Sequence, residues 1–253
     1  MTRVIAVANQ KGGVAKTTSV HTLGIALVER DTRILLVDLD PQACLTFSNG
    51  VDPEALELST HDVMLGRASA AEAIVTVGDL DLLPSTIDLA GAELHLLSRT
   101  GREYVLRRAL EPLLRDYDVV LIDCPPSLGI LTINGLTAAH EVLIPLQCET
   151  LGHRGVGQLL ETIDDVRAYT NAELGVRGVI ATMFDSRTKL AQEMVASVRE
   201  NFDLTVLDPP VPKSVKVAEA PAHGCSVLAH APGSKAATAY RSLAEQLSRV
   251  GAA

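Results

Sequence analysis

Asn9-Gln10-Lys11-Gly12-Gly13-Val14-Ala15-Lys16-Thr17-Thr18 follows directly on the apolar run Val4-Ile5-Ala6-Val7-Ala8 and leads into a helical pattern over Thr17–Arg30. The adjacent glycines permit a tight turn whose successive backbone N–H groups point at one anion. A helix that opens at Thr17 adds a dipole favouring phosphate at that same point. Lys16 is placed to neutralise the outer phosphates of a nucleotide, and the Thr17 hydroxyl to bind Mg²⁺. The usual phosphate-loop pattern is Gly-x-x-x-x-Gly-Lys-Ser/Thr. Here Gln10 and Ala15 stand at the two outer glycine positions, and a second lysine, Lys11, opens the loop. The methyl group of Ala15 fits such a loop most easily at negative φ, which is the expectation for that residue.

Working outward, short Val/Ile-rich runs alternate with longer helical patterns. Strands are expected at Val4–Ala8, Ile34–Asp38, Leu80–Pro84, Val119–Asp123, Val142–Leu146 and Gly178–Met183, with a weaker one near Thr205–Leu207. Several are apolar at nearly every position, as in strands covered on both faces. Helices are expected at Leu89–Arg99, Tyr104–Leu114, Leu151–Ala168, Leu190–Asn201 and Ser234–Val250 as well as after the loop. The alternation predicts an α/β fold: a single-domain P-loop NTPase with a mostly parallel twisted sheet and helices on both faces. No repeat or long linker divides residues 1–253, and no helix-turn-helix unit is expected ahead of the domain. Ligands of such sheets sit at the carboxyl ends of the strands, where Asn9–Lys16, Asp38–Gln42 and Asp123–Ser127 all fall.

Those last two segments carry carboxylates. Asp38-Leu39-Asp40-Pro41-Gln42 places two acids at i and i+2 after a buried strand. They serve either to end the strand in a turn or, beside a phosphate, to orient Mg²⁺ through water and to position an attacking water. Val119-Val120-Leu121-Ile122-Asp123 is an apolar strand with a terminal Asp, in the right order after a phosphate loop for a magnesium-facing carboxylate.

The bulk properties narrow the setting. The chain has 253 residues, 47% hydrophobic and 21% charged, with no Trp and a net charge of −9. No apolar run approaches the ~20 residues that span a bilayer, and no signal peptide precedes the first strand, so a cytoplasmic protein is expected. Cys44, Cys124, Cys148 and Cys225 lack paired spacing and are read as reduced thiols rather than cluster ligands. His153, His223 and His230 show no metal-ligand spacing. The acidic balance opposes general attraction to nucleic acid, so DNA contact requires a local basic patch.

The doubled-lysine loop, Asp38-Leu39-Asp40-Pro41-Gln42 and Ile122-Asp123-Cys124-Pro125-Pro126-Ser127-Leu128-Gly129 together resemble the ParA/Soj branch of the deviant-Walker P-loop ATPases, which also contains MinD. The likeness runs nearly end to end, through Thr132–Ala139, Pro145–Glu149, Phe184–Thr188 and Ala218–Gly224. It implies a slow ATPase using ATP and Mg²⁺ that forms a homodimer in the ATP state, with Lys11 reaching the partner's phosphates. Lys11, Gly12, Gly13, Val14, Ala15, Lys16, Thr17 and Thr18 would form the phosphate site. Asp40 would position the hydrolytic water, and Thr17, Asp38 and Asp123 would serve the metal, the two carboxylates through water.

For the base, the family's usual Pro-Arg-Asn reads Pro212-Lys213-Ser214 here. The resemblance further implies stimulation by a ParB-like protein and non-specific DNA binding, with nucleoid association in the ATP state. The family's DNA-contacting positions fall on Arg187 and Lys216, with Lys189 and Lys213 adjacent in sequence. Three rivals are a MinD-like membrane-cycling ATPase, an iron–sulfur carrier on the same fold, and a ParA-like positioning ATPase whose cargo is not DNA. The tail Arg241–Val250 has few cations for a membrane helix and is expected to pack on the sheet instead.

Overall fold

A computed structural model describes residues 2–148 and 152–248, without the side chains of 152–154. Glu149, Leu151 and the end of the last expected helix, Arg249–Val250, therefore lie outside the described residues, as does the side chain of His153. In chain order the elements are β1 (Arg3–Val7), α1 (Lys16–Val28), β2 (Ile34–Asp38), α2 (Cys44–Ser48), α3 (Thr60–Leu65), α4 (Ala70–Ala73), β3 (Val75–Val77), β4 (Leu80–Leu83), α5 (Leu89–Leu96), α6 (Val105–Leu110), β5 (Val119–Asp123), α7 (Ile130–Ala138), β6 (Glu141–Gln147), α8 (Gly152–Tyr169), β7 (Gly175–Thr182), α9 (Lys189–Phe202), α10 (Val215–Glu219), α11 (Val227–His230) and α12 (Lys235–Ser248). Short 3₁₀ turns include Pro53–Ala55 and Ala220–His223.

The strands form one sheet in the order β3-β4-β2-β5-β1-β6-β7, parallel except for the β3–β4 pair. Strand alternation sends neighbouring residues to opposite faces. Val4 and Ala6 join the core shared with α5–α9, whereas Ile5 and Val7 join the core under α1, α11 and α12. Val120 and Ile122 likewise oppose Val119 and Leu121. Each fully buried Val, Ile or Leu contributes about 1.5–3 kcal/mol, so doubly covered apolar strands set the layering. Helix α1 lies very close to β2: a Cβ on Gly24 would sit 2.8 Å from Leu36 Cδ2, so a larger residue there would have to displace the buried Leu36 side chain or the helix.

Three departures from the sequence reading have physical reasons. Val75–Val77 is an edge strand of three residues that are half-buried or exposed and pair antiparallel with β4, too short and too wet to show a period. It makes the Asp123 strand the fifth in the chain rather than the fourth. Thr205–Leu207 forms only a bridge, Val179 to Val206, not a full strand. The helix expected over Tyr104–Leu114 ends at Leu110 and tightens to 3₁₀ from Glu111, where Pro112 cannot donate to a helical ladder.

Burial also leaves a titration signature. His21 on α1 is 4% exposed, and burial takes its imidazole from the ordinary 6.5 down to about 4. The native ring is therefore neutral where the unfolded chain already binds a proton. Stability is full above pH 6.5 and drains as pH falls from 6.5 toward 4, by about 3 kcal/mol in all. Urea unfolding at several pH values across that window should show this loss in the native chain, and a His21→Gln variant should lack that share of it. Equal pH slopes for the two would refute the assignment.

Candidate functional site: a phosphate loop with facing carboxylates

The loop is built from the strand end outward. Asn9 is 2% exposed and bridges two segments, its Nδ2 donating to Pro145 O at 2.7 Å while its Oδ1 accepts from Lys11 N at 3.0 Å. Thr182, at the end of β7, donates its hydroxyl to Val14 O at 3.0 Å. Gly13 turns at φ 74 and Ala15 at φ 64, ψ 36. The expectation of a negative φ at Ala15 is thus corrected. The loop has to reverse sharply into α1 at this residue, and alanine adopts the left-handed region at a cost of about 1–2 kcal/mol.

That turn leaves α1 uncapped. Ala15 is its N-cap without a side-chain hydrogen bond, and no acidic residue occupies the first turn. The first amide donors of Lys16, Thr17 and Thr18 are therefore left for an outside acceptor. Relief of the Ala15 strain gives a direct check: Ala15→Gly should raise stability by about 1 kcal/mol, or about 2–4 °C in melting temperature for a chain of this size. A fall in melting temperature would contradict the strained geometry.

The carboxylates meet this loop through strand register. Asp38 pairs with Asp123 across β2–β5, and Asp123 with Val7 across β5–β1. All three stand at the carboxyl ends of their strands, and Ala8 alone separates Val7 from the loop. Asp38 is fully buried, and both of its oxygens have donors: Asp40 N at 3.1 Å to one, Thr46 N at 2.9 Å and Thr46 Oγ1 at 2.7 Å to the other. Burial raises its pKa to about 6 against those hydrogen bonds. Asp123 is equally buried, yet neither oxygen has a partner of normal hydrogen-bond geometry. Burial and the Asp38 charge push its carboxyl well above the usual range, with the nearby Thr17 hydroxyl and Lys16 ammonium pulling the other way.

Asp40 is 8% exposed, and its Oδ1 accepts from Gln42 N at 2.9 Å. Burial lowers the Lys16 pKa, opposed by Asp123 and then Asp40, and its Nζ donates to Lys11 O at 3.1 Å. Lys11 Nζ points elsewhere, donating to Gln147 Oε1 at 3.2 Å.

A cleft of about 850 Å³ opens over these groups. Gly12, Gly13, Ala15, Lys16, Thr17 and Thr18 line it, together with Asp40. Pro212, Lys213 and Ser214 line it too. An uncapped helix start beside a lysine suits a polyphosphate, and two orphaned carboxylate oxygens near a threonine hydroxyl suit a hydrated divalent cation. Sequence reasoning placed Asn9 in the loop without its bridging role and gave no role to Thr46, Thr182 or Gln147, whose value lies in hydrogen bonds to residues far away in sequence or to buried groups.

The basic positions fall together but are partly neutralised. A bridge from Phe184 to Pro212 sets the segment with Arg187 and Lys189 beside the one with Lys213 and Lys216. Arg187 forms a two-pronged pair with Asp185 at 2.7 and 2.9 Å, which draws that carboxyl down to about 2. Lys216 pairs with Glu219 at 3.0 Å. Lys189 and Lys213 are exposed. Among the described residues no helix is long and apolar enough to cross a membrane, and no group of three His, Cys, Asp or Glu side chains is placed to hold a metal ion. Cys124 and Cys148 are buried.

Comparison with known proteins agrees with this geometry. A family model described as an AAA domain matches residues 2–176. The sporulation initiation inhibitor protein Soj of Bacillus subtilis is 42% identical over 253 residues, covering 99% of this chain and 100% of that protein. The chromosome partitioning protein ParA of Caulobacter vibrioides is 41% identical, covering 97% of this chain and 93% of its own length. A crystal structure described as cobyrinic acid a,c-diamide synthase from Mycobacterium smegmatis, with bound ADP and magnesium, is 54% identical with a TM-score of 0.88, covering 98% of this chain and 95% of that one. The names of these relatives differ, and family membership follows from the end-to-end likeness rather than from any one name. The chain belongs to the ParA/Soj branch of the deviant-Walker P-loop ATPases.

Proposed function

We propose that this chain is an ATP-driven dimerising switch of the partitioning type, hydrolysing ATP slowly to ADP and phosphate and accelerated by a ParB-like partner. The observation that carries the reading is the pairing of an uncapped phosphate loop with the unpartnered Asp123 carboxylate at one end of the sheet. Bound Mg²⁺ and ATP supply the reactive anhydride and the charge that offsets it. The amides of Gly12–Thr18 hold the phosphates, and the Lys16 ammonium leaves the Lys11 carbonyl for them. Thr17 and, through water, Asp38 and Asp123 would hold the metal. Asp40 holds a water for attack and accepts its proton. Lys11 serves the nucleotide of a second copy. The relatives named for chromosome partitioning support this use over a membrane or cluster-carrying role.

In this reading the dimer doubles the patch of Arg187, Lys189, Lys213 and Lys216, and binds duplex DNA without sequence preference, which places the cytoplasmic protein on the nucleoid while ATP is bound. Because Asp185 and Glu219 already hold two of the four cations, DNA phosphates have to displace them. Binding is therefore weak and steeply salt-dependent. Retention of the chain on non-specific duplex at low salt should require ATP and be lost with ADP. Arg187→Glu should weaken retention by about ten-fold and lower the salt slope by about two, one contact per protomer. Equal retention with ATP, with ADP and in the variant would remove DNA from the function and leave the non-DNA cargo.

A further inference from the structure

The cleft extends past the phosphate loop into an apolar slot that phosphate binding does not explain. Phe47 is 56% exposed and Val215 is 71% exposed, and both line the same cleft as Gly13, Lys16 and Thr17. They reach it from opposite flanks. In the sheet order, β2 lies two strands to one side of β1, which carries the loop, and β7 two strands to the other. Phe47 sits on α2, just after β2. Val215 opens α10, which follows Pro212, and Pro212 bridges to Phe184 just past the end of β7. Beyond them the flanks touch: Gly50 and Gly224 both have positive φ, and a Cβ on Gly224 would sit 3.3 Å from Gly50 Cα.

A large aromatic surface left half in water beside a phosphate cradle fits a molecule with an anionic end and a flat apolar end. The slot wall also includes Val217 and Pro221, which have no hydrogen-bonding side chain for a base edge. We propose that Phe47, with Val215 facing it from the other flank, stacks on the base of a purine nucleoside triphosphate, so that ring area selects purine over pyrimidine. This inference rests on the nucleotide reading above and adds to it a base-holding residue outside the Pro212–Ser214 segment. Phe47 is then a specificity-determining residue whose contact is independent of the phosphates.

The test is calorimetric titration of Mg²⁺ with ATP, CTP or tripolyphosphate into the native chain, Phe47→Ala and Phe47→Trp. ATP should bind the native chain more tightly than CTP. Phe47→Ala should weaken ATP by about ten-fold and leave tripolyphosphate within about two-fold, as expected for loss of one base–aromatic stack. Phe47→Trp should restore ATP affinity and, in a chain with no other tryptophan, give emission that changes with ATP but not with tripolyphosphate. An ATP affinity in Phe47→Ala within about two-fold of native, or a parallel loss for tripolyphosphate, overturns the base slot while leaving the nucleotide reading in place. A native chain that binds neither ATP nor tripolyphosphate overturns the nucleotide reading itself, and the slot with it.

Discussion

Lys16→Ala should lower the affinity for Mg·ATP by more than about a hundred-fold, because it removes the cation that offsets the neighbouring Asp123 and Asp40 carboxylates beside the phosphate loop. The Lys16 ammonium is 7% exposed as a residue and feels Asp123 and Asp40 most strongly. Without it, an incoming polyphosphate meets Asp40 on the cleft wall with only backbone amides to offset it. Breaking one side of a buried, hydrogen-bonded charge pair costs about 3–5 kcal/mol, which is the hundred-fold loss and more. The native ammonium rests on a neutral carbonyl, Lys11 O, so exchanging it for a phosphate oxygen gains a charge-assisted bond. Thermal shift reads the same quantity. At ATP a hundred times its dissociation constant the native chain gains about 2.7 kcal/mol, and the variant should gain almost none. A Lys16→Ala chain that keeps ATP affinity within about ten-fold of native would show that the amide cradle alone holds the nucleotide.

Much of this site is legible in the amino-acid sequence because its residues announce themselves by spacing. The glycine pair, the lysines and the three aspartates all sit at the ends of strands whose apolar residues mark them plainly. Their register, Val7 to Asp123 to Asp38, follows from strands of equal length ending together. What stays hidden depends on contacts far apart in sequence. Nothing near Thr46 says that its amide and hydroxyl occupy one oxygen of Asp38, and so nothing distinguishes Asp38, with its three donors, from Asp123, which has only the Thr17 hydroxyl nearby. Two helices absent from the sequence reading do carry local start signals: Ser59 with Asp62 and Ser69 with Glu72 form capping boxes for α3 and α4. Ala15 misleads for a different reason. Side-chain sterics disfavour positive φ, but the backbone path from Val14, pinned by Thr182, into α1 outweighs about 1–2 kcal/mol of strain.

Lys11→Ala should separate binding from dimerisation: ATP affinity of the single chain stays within about three-fold of native, while the ATP dimer weakens by about a thousand-fold or more. The geometry behind this is the split between the two lysines. Lys16 Nζ stays inside its own loop, on Lys11 O, whereas Lys11 Nζ is carried out to Gln147 Oε1 on β6. A side chain aimed away from its own cradle contributes little to the nucleotide there. In a two-fold dimer, however, the contact it makes with the other copy's phosphates occurs twice, and truncating one buried charge partner costs about 2–5 kcal/mol each time. Asp40→Ala supplies the opposite case. It leaves the loop amides and both lysines in place and removes the carboxylate proposed to hold the attacking water, so the ATP state persists. Light scattering in ATP should then give twice 26.8 kDa for Asp40→Ala and the single mass for Asp40→Ala combined with Lys11→Ala. If the double variant dimerises as well as Asp40→Ala, Lys11 acts on its own nucleotide, and dimerisation has to come from surface contacts alone.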